Sequence, residues 1–184
     1  MSRITYPYRS LARVILEAKT PLCISSGEKD LKSDSLCIKD ANGLPYIPGT
    51  SIAGVLRSLC LDKNKSESVF GFNYKEGGEG SRIIISDAKL LDENGTPVDG
   101  IINRKSEFLL RYMDLPVRQH VKIGSNGTAE ATGKFDNEVV FKGSRFCFEV
   151  ELVGVNESDV DALSEILSRM LIYISNFLNP LNFF

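Results

Sequence analysis

Histidine is almost missing from this chain: His120 stands alone among 184 residues. As a catalytic base it needs a partner that the sequence does not reveal. The four cysteines, Cys23, Cys37, Cys60 and Cys147, are widely scattered and form no C-x-x-C pair, so a structural zinc site is not expected. No run of about 18 apolar residues occurs, and the opening MSRITYPYRS lacks an apolar core of signal-peptide length. These absences point away from a membrane and toward a soluble, reducing, cytoplasmic setting. Neither sign of charge dominates, with 22 Lys and Arg against 24 Asp and Glu for a net charge of -2. Any contact with a polyanion must therefore come from a local basic patch. What the chain does have is 42% hydrophobic residues, enough to bury one sizeable core.

Residues 11–19 alternate, with Ala12, Val14, Leu16 and Ala18 on one face and Arg13, Ile15, Glu17 and Lys19 on the other, as in a half-buried strand. A polar loop over 25–35 leads to a short strand at 37–40 and an Ala41-Asn42-Gly43 turn. Thr50 or Ser51 is placed to cap a helix whose apolar Ile52, Val55, Leu56 and Leu59 recur at helical spacing, with Arg57 off that stripe. Gly54 inside this helix costs about 1 kcal/mol relative to alanine. It implies either tight packing on the sheet or a face that must stay bare.

The charged 62–68 segment and the glycine-rich 75–81 link show no helix or strand period, whereas 82–88 (RIIISDA) predicts a short buried strand. Residues 101–118 are irregular and carry Arg104, Lys105, Arg111 and Arg118, with Lys122 just beyond. Alternation over 139–153, broken by Lys142-Gly143-Ser144, predicts two strand arms joined by a turn. A last helix is expected with Ser158 and Asp161 as a capping box and an apolar stripe from Leu163 to Leu178. The order strand, helix, strand, strand pair, helix predicts an α+β fold: a ferredoxin-like (RRM-like) antiparallel sheet with helices on one face, lacking its last strand.

Three stretches, LPYIPGTSIAGVLRS, VFGF with SRIIISDAKL, and RQHVKIGSNGTAEATGKFDNEVVFKGSRFCFEVEL, together resemble the RAMP superfamily, especially the Cas-seven-like backbone subunits of type III CRISPR effector complexes. The strongest piece is P-x-I-P-G-[ST]-S-[LI]-x-G-x-x-R, matched over residues 45–57. The resemblance implies one RAMP domain over 1–184, C-terminally truncated or completed by a partner, with a thumb-like insertion at about 101–135. It implies an RNA-binding subunit of an antiviral ribonucleoprotein whose partners are guide RNA, target RNA, other effector subunits and copies of itself. Thr50, Ser51, Gly54 and Arg57 then meet the guide backbone at a helix N-terminus, although Ala53 stands where the family commonly has lysine. Arg111, Arg118 and Lys122 are expected to neutralise phosphates, with Tyr112 or Met113 wedging against bases.

In target-cleaving relatives an aspartate precedes the turn before the helix, and the matching residue is Asp34, with Asp30 and Glu28 as fallback carboxylates. Through the resemblance, Asp34 is the candidate catalytic residue and metal ligand, for magnesium or manganese, of a metal-dependent endoribonuclease. On the residues alone it reads as an ordinary solvated loop aspartate. Two other functions stay open: a non-catalytic scaffold of the same family, and a guide-RNA-processing endonuclease.

Overall fold

The computed structural model describes residues 7–30, 33–75, 77–103, 105–154 and five positions between 161 and 169. Along the chain run β1 (Tyr8–Glu17), α1 (Gly49–Leu59), α2 (Lys63–Phe70), β2 (Phe72–Tyr74), β3 (Gly77–Glu79), β4 (Ile83–Ile85), β5 (Lys89–Leu90), α3 (Glu107–Leu110), β6 (Val117–Ile123), β7 (Ala129–Glu138) and β8 (Arg145–Gly154). β8 lies between β1 and β4, and β5 also pairs with it. A strand, a helix and two more strands, with the third strand central, make the split β-α-β of the ferredoxin-like pattern expected from the sequence.

The chain forms two compact units, and β1 and β8 each contribute to both. In the first (Met1–Val14, Pro48–Ala88, Phe148–Phe184), β4 pairs antiparallel with β8 through Ile83 and Leu152, Ile84 and Glu151, and Ile85 and Val150. α1 forms because Ile52 and Leu56 recur every four residues and are buried at 4% and 0% exposure, with Val69, Phe148, Val150 and Leu152 also in this core. Val55 of the predicted stripe is instead 43% exposed. β4 is not buried on both faces as 82–88 suggested, since Ile84 is 60% exposed. On the outer face of β1, Arg9 pairs with Glu151 at 2.5 Å and Arg13 with Glu149 at 2.7 Å.

The 62–68 segment is a helix after all. Asp62 caps α2, accepting from the backbone N–H of Asn64 and Lys65. The glycine-rich link supplies β3, paired with β2.

In the second unit (Ile15–Ile47, Lys89–Cys147), β6 and β7 form an antiparallel hairpin, with Arg118 opposite Asn137 and His120 opposite Phe135. The two arms predicted for 139–153 do not pair with each other: in the first, Val140 bridges Leu22, and the second is the start of β8. Leu44, Leu90, Val140 and Phe146 are buried in this unit's core. The expected last helix, with Ser158 and most of its stripe, lies outside the described residues apart from Ile166, which is 2% exposed.

Candidate nucleic-acid interface

α1 begins without a side-chain cap from its own chain end. Pro48 occupies the N-cap position, so neither Thr50 nor Ser51 caps the helix, and both hydroxyl residues are exposed in its first turn. The anionic place at this terminus is taken by Asp87, whose Oδ1 accepts from the Gly49 N–H at 2.9 Å. A carboxylate there opposes a second anion at the same amide, which moves any phosphate contact along the helix face.

The two glycines of α1 do different work. A Cβ on Gly49 would lie 2.3 Å from the Ile85 carbonyl oxygen and 2.9 Å from that of Ser86. Gly49 is therefore the close-packing residue. Gly54 is exposed, and a Cβ built there meets nothing within 4 Å among the described residues. The packing explanation for Gly54 fails, and the bare face remains. Thr50, Ala53, Gly54 and Arg57 form one wall of a groove of about 370 Å³ whose other side is Phe70, Ser81, Ile83 and Ile85. The Arg57 guanidinium is exposed and donates to the Gly71 carbonyl at 3.2 Å, which aims it along that wall.

In the other unit, the loop carrying Asp34 is fastened to the end of β7. Asp34 N–H and Ser35 N–H both donate to the Asp136 carbonyl, at 2.8 and 3.3 Å, and Ser33 Oγ reaches the same oxygen at 3.0 Å. The Asp136 N–H returns a bond to Asp34 Oδ2 at 3.0 Å. Asp34 is exposed, while Asp136 Oδ1 is buried without a hydrogen-bond partner among the described residues. Behind the loop, Glu138 is 7% exposed and accepts from Cys37 N–H at 2.9 Å and from Lys39 Nζ at 2.6 Å. Burial above all pushes the Cys37 thiol up to about 12. Glu28 and Asp30 are exposed, and Asp30 Oδ1 accepts from Ser33 N–H within its own turn.

The hairpin presents two different faces. Arg118, His120 and Lys122 alternate with Val117, Val121 and Ile123, which are 41%, 49% and 54% exposed. On the basic face His120 stacks on Phe135, with ring centroids 5.0 Å apart and planes 9° from parallel. This ring pair between two cations was not legible from a lone histidine, because its partner lies fifteen positions away and is joined only by strand register. Lys122 pairs with Glu130 at 3.0 Å, and Arg111 lies 3.6 Å from Glu107. Tyr112 is not a wedge: it is 6% exposed, its hydroxyl accepts from Ser144 Oγ at 3.1 Å, and its ring packs edge-on against Phe141. Met113 is 39% exposed. Arg104 falls outside the described residues.

The sequence-predicted residues thus fall into two sets. Thr50, Gly54 and Arg57 share one groove, with Ser51 exposed on the same turn. In the second unit Ser35 bridges Asn137, which faces Arg118 across the hairpin, so the Asp34 loop and the basic strand flank β7.

The sequence profile of the RAMP superfamily matches residues 15–179. The chain belongs to the RAMP superfamily. Among RAMP proteins, it is 25% identical to the "CRISPR system Cms endoribonuclease Csm3" of Methanocaldococcus jannaschii over 208 aligned positions, covering 97% of this chain and 76% of that one. Its fold is similar to a chain of the type III-B Cmr-beta complex bound to cognate target RNA, with a TM-score of 0.62, 15% identity and 89% and 90% of the two chains covered. It is also similar to a chain of the Csm3-Csm4 subcomplex of a type III-A CRISPR-Cas interference complex, with a TM-score of 0.53, 21% identity and 92% and 67% covered. At these identities the solved structures show a shared fold. Among the described residues, no helix is long and apolar enough to cross a membrane.

Proposed function

We propose that this RAMP protein is an RNA-binding backbone subunit of a type III CRISPR ribonucleoprotein, assembled with other effector subunits and with copies of itself. The observation that carries the reading is the open face of α1: a glycine with free space above it, beside an exposed arginine and threonine. Such a surface admits a ribose-phosphate strand closely and holds it through charge and hydroxyl bonds, without reading bases. Sequence is then read by pairing between guide and target, while the protein holds shape and phosphate. The stacked His120–Phe135 pair between Arg118 and Lys122 supports a second contact, in which rings offer a sequence-tolerant platform and cations meet phosphate.

The same reading gives Asp34 the cleavage of paired target RNA. Its exposed carboxylate accepts a proton from a ribose 2′-hydroxyl, and the backbone bonds at Asp136 fix where that carboxylate stands. Among the described residues no group of three or more metal-ligating side chains occurs, but magnesium is commonly held by one or two carboxylates together with substrate phosphates. Asp34 supplies one exposed carboxylate of that kind. Bound there, magnesium or manganese supplies charge stabilisation at the phosphate undergoing displacement.

The test is Asp34→Asn in the assembled complex. Asparagine keeps an oxygen to accept from Asp136 N–H, so the loop should stay in place and guide and target should still bind. Loss of target cleavage with binding intact supports the catalytic role. Unchanged cleavage turns the assignment into the non-catalytic scaffold, for which the structural bond of Asp34 to Asp136 is already a sufficient task.

A further inference from the structure

Cys23 and Cys37 are both free thiols, half-buried and buried respectively. Their relation is set by register. Residues 24–26 run antiparallel to 36–38, with Ser25 bridging Cys37, Ile38 N–H donating to Ile24 O at 2.8 Å and Ser26 N–H donating to Leu36 O at 2.9 Å. One diagonal of this pairing joins Ser25 to Ser35, whose hydroxyl oxygens are 2.8 Å apart. Cys23 lies two residues before Ser25 and Cys37 two after Ser35, which keeps them on the same diagonal and the same face. The register therefore brings the two thiols to the same side of the paired segments, where Cys37 Sγ also reaches the Glu138 carbonyl at 3.1 Å.

We propose that Cys23 and Cys37 form a reversible disulfide when the protein meets a hydroperoxide, tethering the loop that carries Asp34 to the segment that follows β1. Side chains on this diagonal close to 2.8 Å at the serine pair, so thiols on it stand within reach of the roughly 2 Å sulfur–sulfur bond. In a reducing compartment such a pair is a redox-responsive site, not a permanent staple.

The chemistry runs in two steps. Cys23 is the more exposed thiol, and its sulfur attacks the peroxide: an S–O bond forms, the O–O bond breaks, and the other peroxide oxygen leaves as alcohol or water, giving Cys23 sulfenic acid. Cys37 sulfur then displaces hydroxide from Cys23: the S–S bond forms, the S–O bond breaks, and the proton of the Cys37 thiol leaves with that hydroxide as water. Each sulfur gives up one electron and the peroxide takes up two. Cys37 lies three positions after Asp34, so the bridge fixes the loop from behind. The inference is independent of the RNA reading, because its readout is covalent.

The experiment uses the full chain, purified reduced, treated with a modest excess of hydrogen peroxide, then alkylated after denaturation and weighed intact. The expected result is loss of two of the four alkylation sites, recovery of both with dithiothreitol, and a non-reduced peptide joining Cys23 to Cys37. Cys60→Ser should keep the bridge and Cys23→Ser should abolish it. Four alkylatable thiols after treatment, Cys23 halted at an oxyacid with Cys37 still alkylatable, or a bridge reaching Cys60 or Cys147 overturns the proposal.

Discussion

Replacing Gly54 by alanine separates the two explanations for a glycine within a helix. Its Cβ would meet no atom of the described residues within 4 Å, so the substitution adds no clash among them. An exposed helix-interior Gly→Ala change lowers the conformational entropy of the unfolded chain and stabilises by up to about 1 kcal/mol. For a chain of this size that raises the melting temperature by about 2–4 °C. Gly49→Ala is the control, because its Cβ would stand 2.3 Å from a carbonyl oxygen of β4 and the backbone must shift, at a cost of about 1–3 kcal/mol or more. The functional arm is Gly54→Glu, which places bulk and negative charge on the bare face. It should weaken binding of single-stranded RNA about tenfold, or about 1.4 kcal/mol, measured by fluorescence anisotropy beside the melting curves. A melting temperature that falls in Gly54→Ala, or RNA affinity unmoved in Gly54→Glu, refutes the reasoning.

Arg57→Ala should lower RNA affinity across sequences alike and reduce the slope of log affinity against log salt by about one, read from a salt titration. Glu138→Ala should destabilise by about 2–3 kcal/mol in urea unfolding, because it strands Cys37 N–H and Lys39; the figure sits below the range for fully buried pairs, since the Lys39 side chain keeps 26% of its exposure. Glu151 is held below the usual carboxylate range by the hydrogen bond from Arg9, and Glu165 by that from Lys65. Their contribution is fully present above the unfolded glutamate value of about 4.3 and is lost as pH falls through the lower folded values. Glu151→Gln should therefore flatten the acid limb of stability, followed as urea midpoints from about pH 7 to about pH 3. Raised salt should shrink the effect, since both pairs are solvent-facing.

Where burial was one-sided, the sequence was readable. β1 alternates because one face is half-buried and the other meets water, and α1 shows its stripe through Ile52 and Leu56. α2 was hidden because only Ser66 and Val69 of its eight residues are buried, leaving the Asp62 cap as its signal. β3 is Gly77-Gly78-Glu79, which carries no strand propensity and forms through pairing with β2. Alternation over 139–153 marks strand-like backbone but cannot name the neighbour: the first arm bridges Leu22 through Val140 and does not fold back on β8. Composition likewise could not tell which α1 glycine meets backbone and which meets solvent, nor that Tyr112, within a basic stretch, is held in the core by Ser144 and Phe141. Asp34 was reachable through family likeness, but its tie to Asp136 depends on a bridge across about a hundred residues.

Photo-crosslinking of single-stranded RNA to the full chain at low salt, followed by peptide mass spectrometry, tests the central claim most directly. Crosslinks on the α1 peptide between Thr50 and Arg57, joined by crosslinks on β6 near His120, are the predicted result. RNA that crosslinks elsewhere and leaves the α1 peptide unmodified contradicts the account.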